Sequence, residues 1–161
     1  MANFEIRRTG DWPQARRIMS GLAFKLHRVT ERGLKEEAEA AVRRIKNNIF
    51  AQNYPHAPLS EWQKEHKAET GGDPRTLIEE GKYVRAIDSF RIGRGQYAIG
   101  FPAGDKRNAE RAKLLEFGGK NNLGRYVPAR PHFRVELERM RNGRLPTIRK
   151  GIHKVLTGRW I

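Results

Sequence analysis

Apolar residues recur at three- and four-residue spacing over the first third of the chain. Ala15, Ile18, Met19, Leu22, Leu26 and Val29 make one series, and Leu34, Ala38, Ala41, Val42, Ile45 and Ile49 make a second. That spacing lines side chains up on one face of a helix, so both series predict amphipathic helix. At about 100° per residue the second stripe is turned by roughly a third of a circle from the first, which predicts a break or bend near Gly21 or Gly33. Asp11 is placed to cap the first helix, whose opening turn tolerates Pro13 because the N–H that proline lacks would have no partner there. Ahead of it, Phe4, Ile6 and Arg8 alternate with their neighbours as in a short strand.

From Gln52 to Pro74 the periodicity dissolves into Asn, Pro, Ser, Gly and charged residues, which predicts a flexible connector at about 52–75. Ser60 and Gln63 have the spacing of a capping box, so a helical turn can follow Ser60. Trp62 is the largest apolar residue of this region and can anchor it either to the core or to a neighbouring subunit. Val84, Ile87, Phe90 and Ile92 then suit a strand over 83–92, and Tyr97, Ile99 and Phe101 suit another over 96–101, with Gly93-Arg94-Gly95 as the turn between them. Asn108 can cap a helix through Ala112 and Leu115.

That helix should stop at Gly118, which can take the positive φ of a helix C-terminus. Pro128 and Pro131 fix their own φ and push Val127 and Arg130 toward extended conformations, so Arg130 is a long charged arm on a stiff base. Its guanidinium can pair with Glu116 inside one subunit or with a carboxylate across an interface. A helix through Phe133, Val135, Leu137 and Met140 follows, Asn142-Gly143 breaks it, and Pro146 starts a last helix through Ile148, Ile152, Val155 and Leu156. The sum is a single α+β domain over residues 1–161: a small antiparallel sheet with a central hairpin packed against a long N-terminal helix, plus C-terminal helices. Leu22, Ile45, Phe90, Ile99 and Leu115 are the expected core, and the basic segment at about 141–161 reads as peripheral to it.

Charge changes this picture more than composition does. The chain has 33 Lys and Arg against 18 Asp and Glu, a formal +15, and residues 106–161 alone carry 15 basic against 4 acidic residues, or +11. So uneven a distribution favours a polyanionic partner, DNA first, unless it is simply a solvated face. Arg141, Arg144, Arg149, Lys150, Lys154 and Arg159 bracket the last helix and are the candidate phosphate contacts, with Trp160 near its end. No apolar run approaches a membrane span, and residues 1–10 alternate charge with apolar positions where a signal peptide would have an apolar centre. The chain therefore reads as a soluble protein, intracellular when made, with no membrane partner. Cysteine is absent, so neither a disulfide framework nor a thiolate zinc site is available.

Catalytic patterns are weak throughout. Asp73, Glu80 and Lys82 have the flavour of an Mg²⁺-dependent nuclease, but a spacing of seven positions from Asp73 to Glu80 is too short for the usual strand-turn-strand arrangement. The five histidines have no close metal-ligand spacing, and Ser20, Ser60 and Ser89 lie in no nucleophile elbow. Gly93-Arg94-Gly95 is not followed by a helix and so lacks the context of a phosphate cradle. No enzyme, metal or cofactor is expected.

Leu115-Glu116-Phe117-Gly118 together with Val127-Pro128-Ala129-Arg130-Pro131-His132-Phe133 resembles the paired signature of tail-completion and neck proteins of tailed bacteriophages, the virion-morphogenesis and minor-tail family. The stretch from Pro58 through Leu77-Ile78-Glu79-Glu80-Gly81-Lys82 to Ser89-Phe90 resembles the upstream part of that family. His132 stands between Pro131 and Phe133, where the family more often runs straight from Pro to Phe, and Glu80 stands where it more often has Thr. The resemblance implies a structural virion protein that completes the tail or joins it to the head as a homo-oligomeric ring, hexamers being commonest, around the DNA channel. It implies other neck, connector or tail-tube proteins as partners, non-specific contact with genomic DNA, and a place at the neck or head-proximal end of the tail after assembly in the host cytoplasm. Trp62, Glu116, Phe117, Arg130 and Phe133 are then the candidate subunit-interface residues. A rival reading from the charge alone is a free, sequence-nonspecific DNA-binding protein.

Overall fold

The computed structural model describes residues 10–54, 56–78, 81–143 and 145–157. The expected strand over Phe4 to Arg8, and the candidates Glu80, Arg144, Arg159 and Trp160, lie outside these residues. Helix α1 (Trp12–Phe50) opens the described chain, capped by Asp11, whose side chain accepts from Gln14 N, with Pro13 in its first turn. It is one uninterrupted helix of 39 residues, about 58 Å long at 1.5 Å per residue. The predicted break near Gly21 or Gly33 is not there.

The phase shift between the two apolar stripes has another cause: α1 serves two partners on two faces. From Ala38 to Ile49 its buried side chains face the main core. Around Val29, Gly33 and Glu37 it meets helix α6 (Pro146–Leu156). A Cβ on Gly33 would lie 2.8 Å from Ile148 Cγ1, and one on Gly151 of α6 would collide with the Val29 side chain. Each helix thus contributes a glycine to the other's branched residue, and Gly33 is a crossing point where the sequence suggested a hinge. For the same reason the segment through Leu156 is not peripheral: α6 lies along α1 with Val155 buried between them.

Helix α2 (Glu61–Glu69) sits in the connector with the expected capping box of Ser60 and Gln63, and none of its residues is buried. Helix α3 (Lys82–Ala86) occupies the first half of the predicted strand. Tyr83, Val84 and Ile87 are all buried in the core. Adjacent residues 83 and 84 would point to opposite faces of a strand, whereas positions 83, 84 and 87 share one side of a helical turn. Strands β1 (Asp88–Gly93) and β2 (Gln96–Gly100) then form the antiparallel hairpin, with Gly95 at φ 67 in its turn. α1 packs on this two-stranded sheet.

Helix α4 (Lys106–Phe117) is capped by Asp105, not Asn108. Asp105 Oδ1 accepts from Asn108 N at 3.2 Å while the Asn108 amide donates to Oδ2 at 2.7 Å, so the predicted cap is the cap's partner. A second, unpredicted hairpin follows, β3 (Gly119–Lys120) with β4 (Tyr126–Val127), its loop pinned by Asn121 Oδ1 accepting from the N–H groups of Leu123 and Arg125. Helix α5 (Phe133–Asn142) and α6 complete the chain. The core gathers Val42, Ile45 and Ile49 of α1, Tyr83, Val84 and Ile87, and Ala112 and Leu115 of α4. Ile45 and Leu115 are buried as expected; Phe90 and Ile99 are half-buried, because a two-stranded sheet leaves much of each strand beside solvent, and Leu22 is half-buried because it lies in the part of α1 ahead of Val29, where no side chain is buried.

Candidate functional site

The stretch from Lys113 to Leu137 closes around one carboxylate. Glu116 accepts from the backbone N–H groups of His132 and Phe133 at 2.7 Å through Oε1 and from Arg134 N at 3.2 Å through Oε2. These are the first N–H groups of α5, which has no side-chain cap of its own. A helix start with its donors unpaired and its dipole positive is where a buried carboxylate is most stabilising. Glu37 repeats the device: its Oε1 accepts from Thr147 N at 3.0 Å, at the start of α6, which is also uncapped locally. Glu136, almost fully buried in the first turn of α5, pairs with Arg44 of α1 at 2.6 Å.

The two halves of the motif pair are therefore one unit. Leu115 O accepts from Arg130 N at 2.6 Å, and Gly118, at φ 70, brings its Cα so close to Ala129 N and Val127 O that a Cβ would lie 3.0–3.1 Å from them. Arg130 departs from both expectations. It is 3% exposed, and its guanidinium donates to the carbonyls of Ala57 and Pro58, 3.1 Å each. It neither pairs with Glu116, whose oxygens are taken by α5, nor reaches out to a neighbour. Its role in this chain is to tie the connector down.

His132 is fully buried. Its Nδ1–H donates to the Arg130 carbonyl at 3.1 Å, which leaves Nε2 to accept from the Tyr83 hydroxyl at 2.8 Å. Burial pushes its pKa below the usual imidazole value, against the opposing pull of the Arg130 carbonyl and of Glu116, and burial does the same to half-buried His56. Burial also raises the Tyr83 phenol, with the Glu116 charge adding to it. The depressed imidazoles bind protons in the unfolded chain at a pH where the fold keeps them neutral. Stability is thus full above about pH 6.5 and falls as pH drops below it, by up to about 1.4 kcal/mol per pH unit for one imidazole. Urea midpoints at pH 7.5 and 5.5 should show that loss; a flat profile would mean that His132 takes up its proton without leaving the core.

Asp73 is clamped by Arg75, with a hydrogen bond at 2.5 Å that holds its carboxyl down at about 2, so it is engaged as an ion-pair partner. Among the described residues no group of three His, Asp or Glu could hold a metal, and no helix is long and apolar enough to cross a membrane.

Exposed apolar side chains are the conspicuous surface feature. Trp62 stands 55% exposed on α2, so it does not anchor the core; it stacks on His66, and Arg125 of the β3–β4 hairpin lies 4.9 Å over its ring. Phe117 and Leu123, both more than 70% exposed, line a groove of about 780 Å³ between α4 and that hairpin. Tyr126 is equally exposed. Of the interface candidates, then, Trp62 and Phe117 are open to a partner. Glu116 and Arg130 are buried, and Phe133 packs edge-on against Phe101 with ring centroids 6.0 Å apart. Of the candidate DNA-facing residues, Arg141, Arg149, Lys150 and Lys154 are exposed. Sequence reasoning missed Glu37, Arg44 and Glu136; the signal for Glu37 was its place four residues after Gly33, a charge on the line that also holds Val29.

These features define an α+β domain whose terminal helices are held by buried carboxylates and whose apolar surface is left uncovered. Comparison with models of known protein families, with curated proteins and with solved structures finds no match for this chain.

Proposed function

We propose that this chain is a structural protein of a tailed-bacteriophage virion, completing the tail or joining it to the head as a homo-oligomeric ring around the DNA channel. The observation that carries an assembly role is the uncovered apolar surface. From Trp12 to Arg28 no side chain of α1 is buried, and Trp12, Ile18, Met19 and Phe24 are exposed there. Together with Trp62, Phe117, Leu123 and Tyr126 they leave eight large apolar side chains in the open, and uncovered apolar surface supports an interaction role. The kind of assembly is supported by the Leu-Glu-Phe-Gly and Pro-Ala-Arg-Pro pair, whose glutamate, glycine and arginine each have a structural task. Neck, connector or tail-tube proteins are the further partners of this reading.

The DNA-binding alternative is supported by α6, which has no acidic residue and turns Arg149, Lys150 and Lys154 outward. Light scattering across a range of protein concentrations separates the two. The ring reading expects a concentration-dependent closed oligomer with no need of DNA. A chain that stays at 18.6 kDa at every concentration, yet binds duplex DNA with steep salt dependence, would replace it by the alternative.

A further inference from the structure

The open half of α1 shows which surfaces meet. At about 100° per residue, Ala15, Ile18, Met19, Leu22 and Leu26 lie on the same stripe as Val29 and Gly33. α6 covers that stripe at Val29 and Gly33 and is 11 residues long, about 16 Å. The two crossings run antiparallel, so the five residues of α6 beyond Gly151 reach about 8 Å past Val29, and from there the stripe runs on for about 18 Å toward Trp12, with Ile18 and Met19 exposed and Ala15 and Leu22 half-buried. Flanking it are Arg16, Arg17, Lys25 and Arg28, and between Trp12 and Arg28 there is no acidic residue. Two such stripes laid on each other would bring eight cations together, so a symmetric pairing of α1 with α1 is disfavoured. The stripe needs an apolar surface that carries acid.

The same chain has one. α2 turns Gln63 and Lys67 inward, which leaves Trp62 with Glu61, Glu65 and Glu69 on its outer side. Lys64 pairs with Glu61 at 2.7 Å, and Lys67 donates to the carbonyls of Asp73 and Arg75 at 2.7 and 2.8 Å. Among the described residues Glu65 and Glu69 have no ion-pair partner. The Arg125 contact over Trp62 joins this helix to the β3–β4 hairpin, whose Leu123 lines the groove with Phe117, so Trp62, Leu123 and Phe117 extend along one flank of the molecule.

We propose that the open half of α1 of one copy docks on the α2 and β3–β4 surface of the next, its apolar stripe on Trp62, Leu123 and Phe117 and its arginines and Lys25 over Glu65 and Glu69. The far end of the groove, where Arg107, Arg111, Lys113 and Lys120 outnumber Glu110, repels those cations and sets the direction in which the visiting helix lies. The contact uses two different surfaces of one chain, so it is head-to-tail and propagates until rotation closes it. This inference rests on the ring reading and specifies its interface.

Complementation of two half-dead copies tests it. One variant carries Ile18→Asp with Met19→Asp, the other Trp62→Asp with Leu123→Asp; all four positions are exposed, and circular dichroism and melting check that both variants fold. Each alone should stay at the mass of one chain. Their equimolar mixture should give a particle of two chains, because each retains the surface that the other lost. If wild type assembles while the mixture stays monomeric, or while either variant assembles by itself, the docking is wrong and the ring reading stands. A wild type that never leaves the monomer overturns both. As a second measurement, Glu65→Arg with Glu69→Arg should abolish wild-type assembly, and Arg16→Glu with Arg17→Glu in the same chain should restore it at least in part; no effect of the first pair would show that charge does not guide the contact.

Discussion

Replacing Glu116 by alanine is expected to cost the fold about 3 kcal/mol or more. The carboxylate takes three backbone N–H groups at once, and bonds to a charged acceptor contribute about 1.5–3 kcal/mol each before they share one group. Alanine leaves those donors facing a space that is nearly closed to water, since His132 is fully buried and Glu116 almost so, and an unmet buried donor costs more than a bond never made. Glu116→Gln keeps one oxygen in place and should lose about half as much, as the charge and one acceptor disappear. Urea denaturation of the two variants decides it. A Glu116→Ala midpoint within about 1 kcal/mol of wild type would mean that α5 starts equally well without the cap and that the motif glutamate has some other task. Because α5 also holds Glu136 against Arg44, the damage should spread to the seating of α5 on α1.

Two glycine-to-alanine changes are expected to move stability in opposite directions. In a helix interior alanine is favoured over glycine by about 1 kcal/mol. At Gly21 a Cβ would meet nothing within 4 Å, so Gly21→Ala should gain most of that. At Gly151 the new methyl would enter the Val29 side chain, and at Gly33 it would lie 3.2 Å from the Ile148 Cα as well as closer still to its side chain. Overpacking of this kind costs about 1–3 kcal/mol, so the propensity gain is outweighed and Gly151→Ala should lose up to about 2 kcal/mol net. For a chain of 161 residues that is a drop of up to about 8 °C in melting temperature. Should Gly151→Ala melt above wild type, α6 would not be seated on α1 through this crossing, and the partition of α1 between a covered and an open stripe would fall with it.

What the sequence determined by itself is whatever depends on neighbours along the chain. The helical period of 15–49, Asp11 and Pro13 at its start, the capping box at Ser60, the glycine turn at 93–95, the stop at Gly118 and the proline start at 146 are local events, governed by φ preferences and by donors a few residues away. All are found where the pattern put them, as is the α+β class. Tertiary structure decided the rest. Whether Gly33 bends a helix or admits one depends on Ile148, which lies 115 residues away in the sequence. Whether 83–87 extends or coils depends on a core that wants Tyr83, Val84 and Ile87 on one side. Arg130 was legible as a rigidly based cation, but its carbonyl partners at Ala57 and Pro58 belong to a connector with no pattern of its own. Glu116 was legible as half of a motif, yet its three partners are backbone groups, which no residue type in a sequence announces. Side-chain identity encodes period and turn; the distant backbone donors and acceptors that a buried charge requires come into being only when the chain has folded around it.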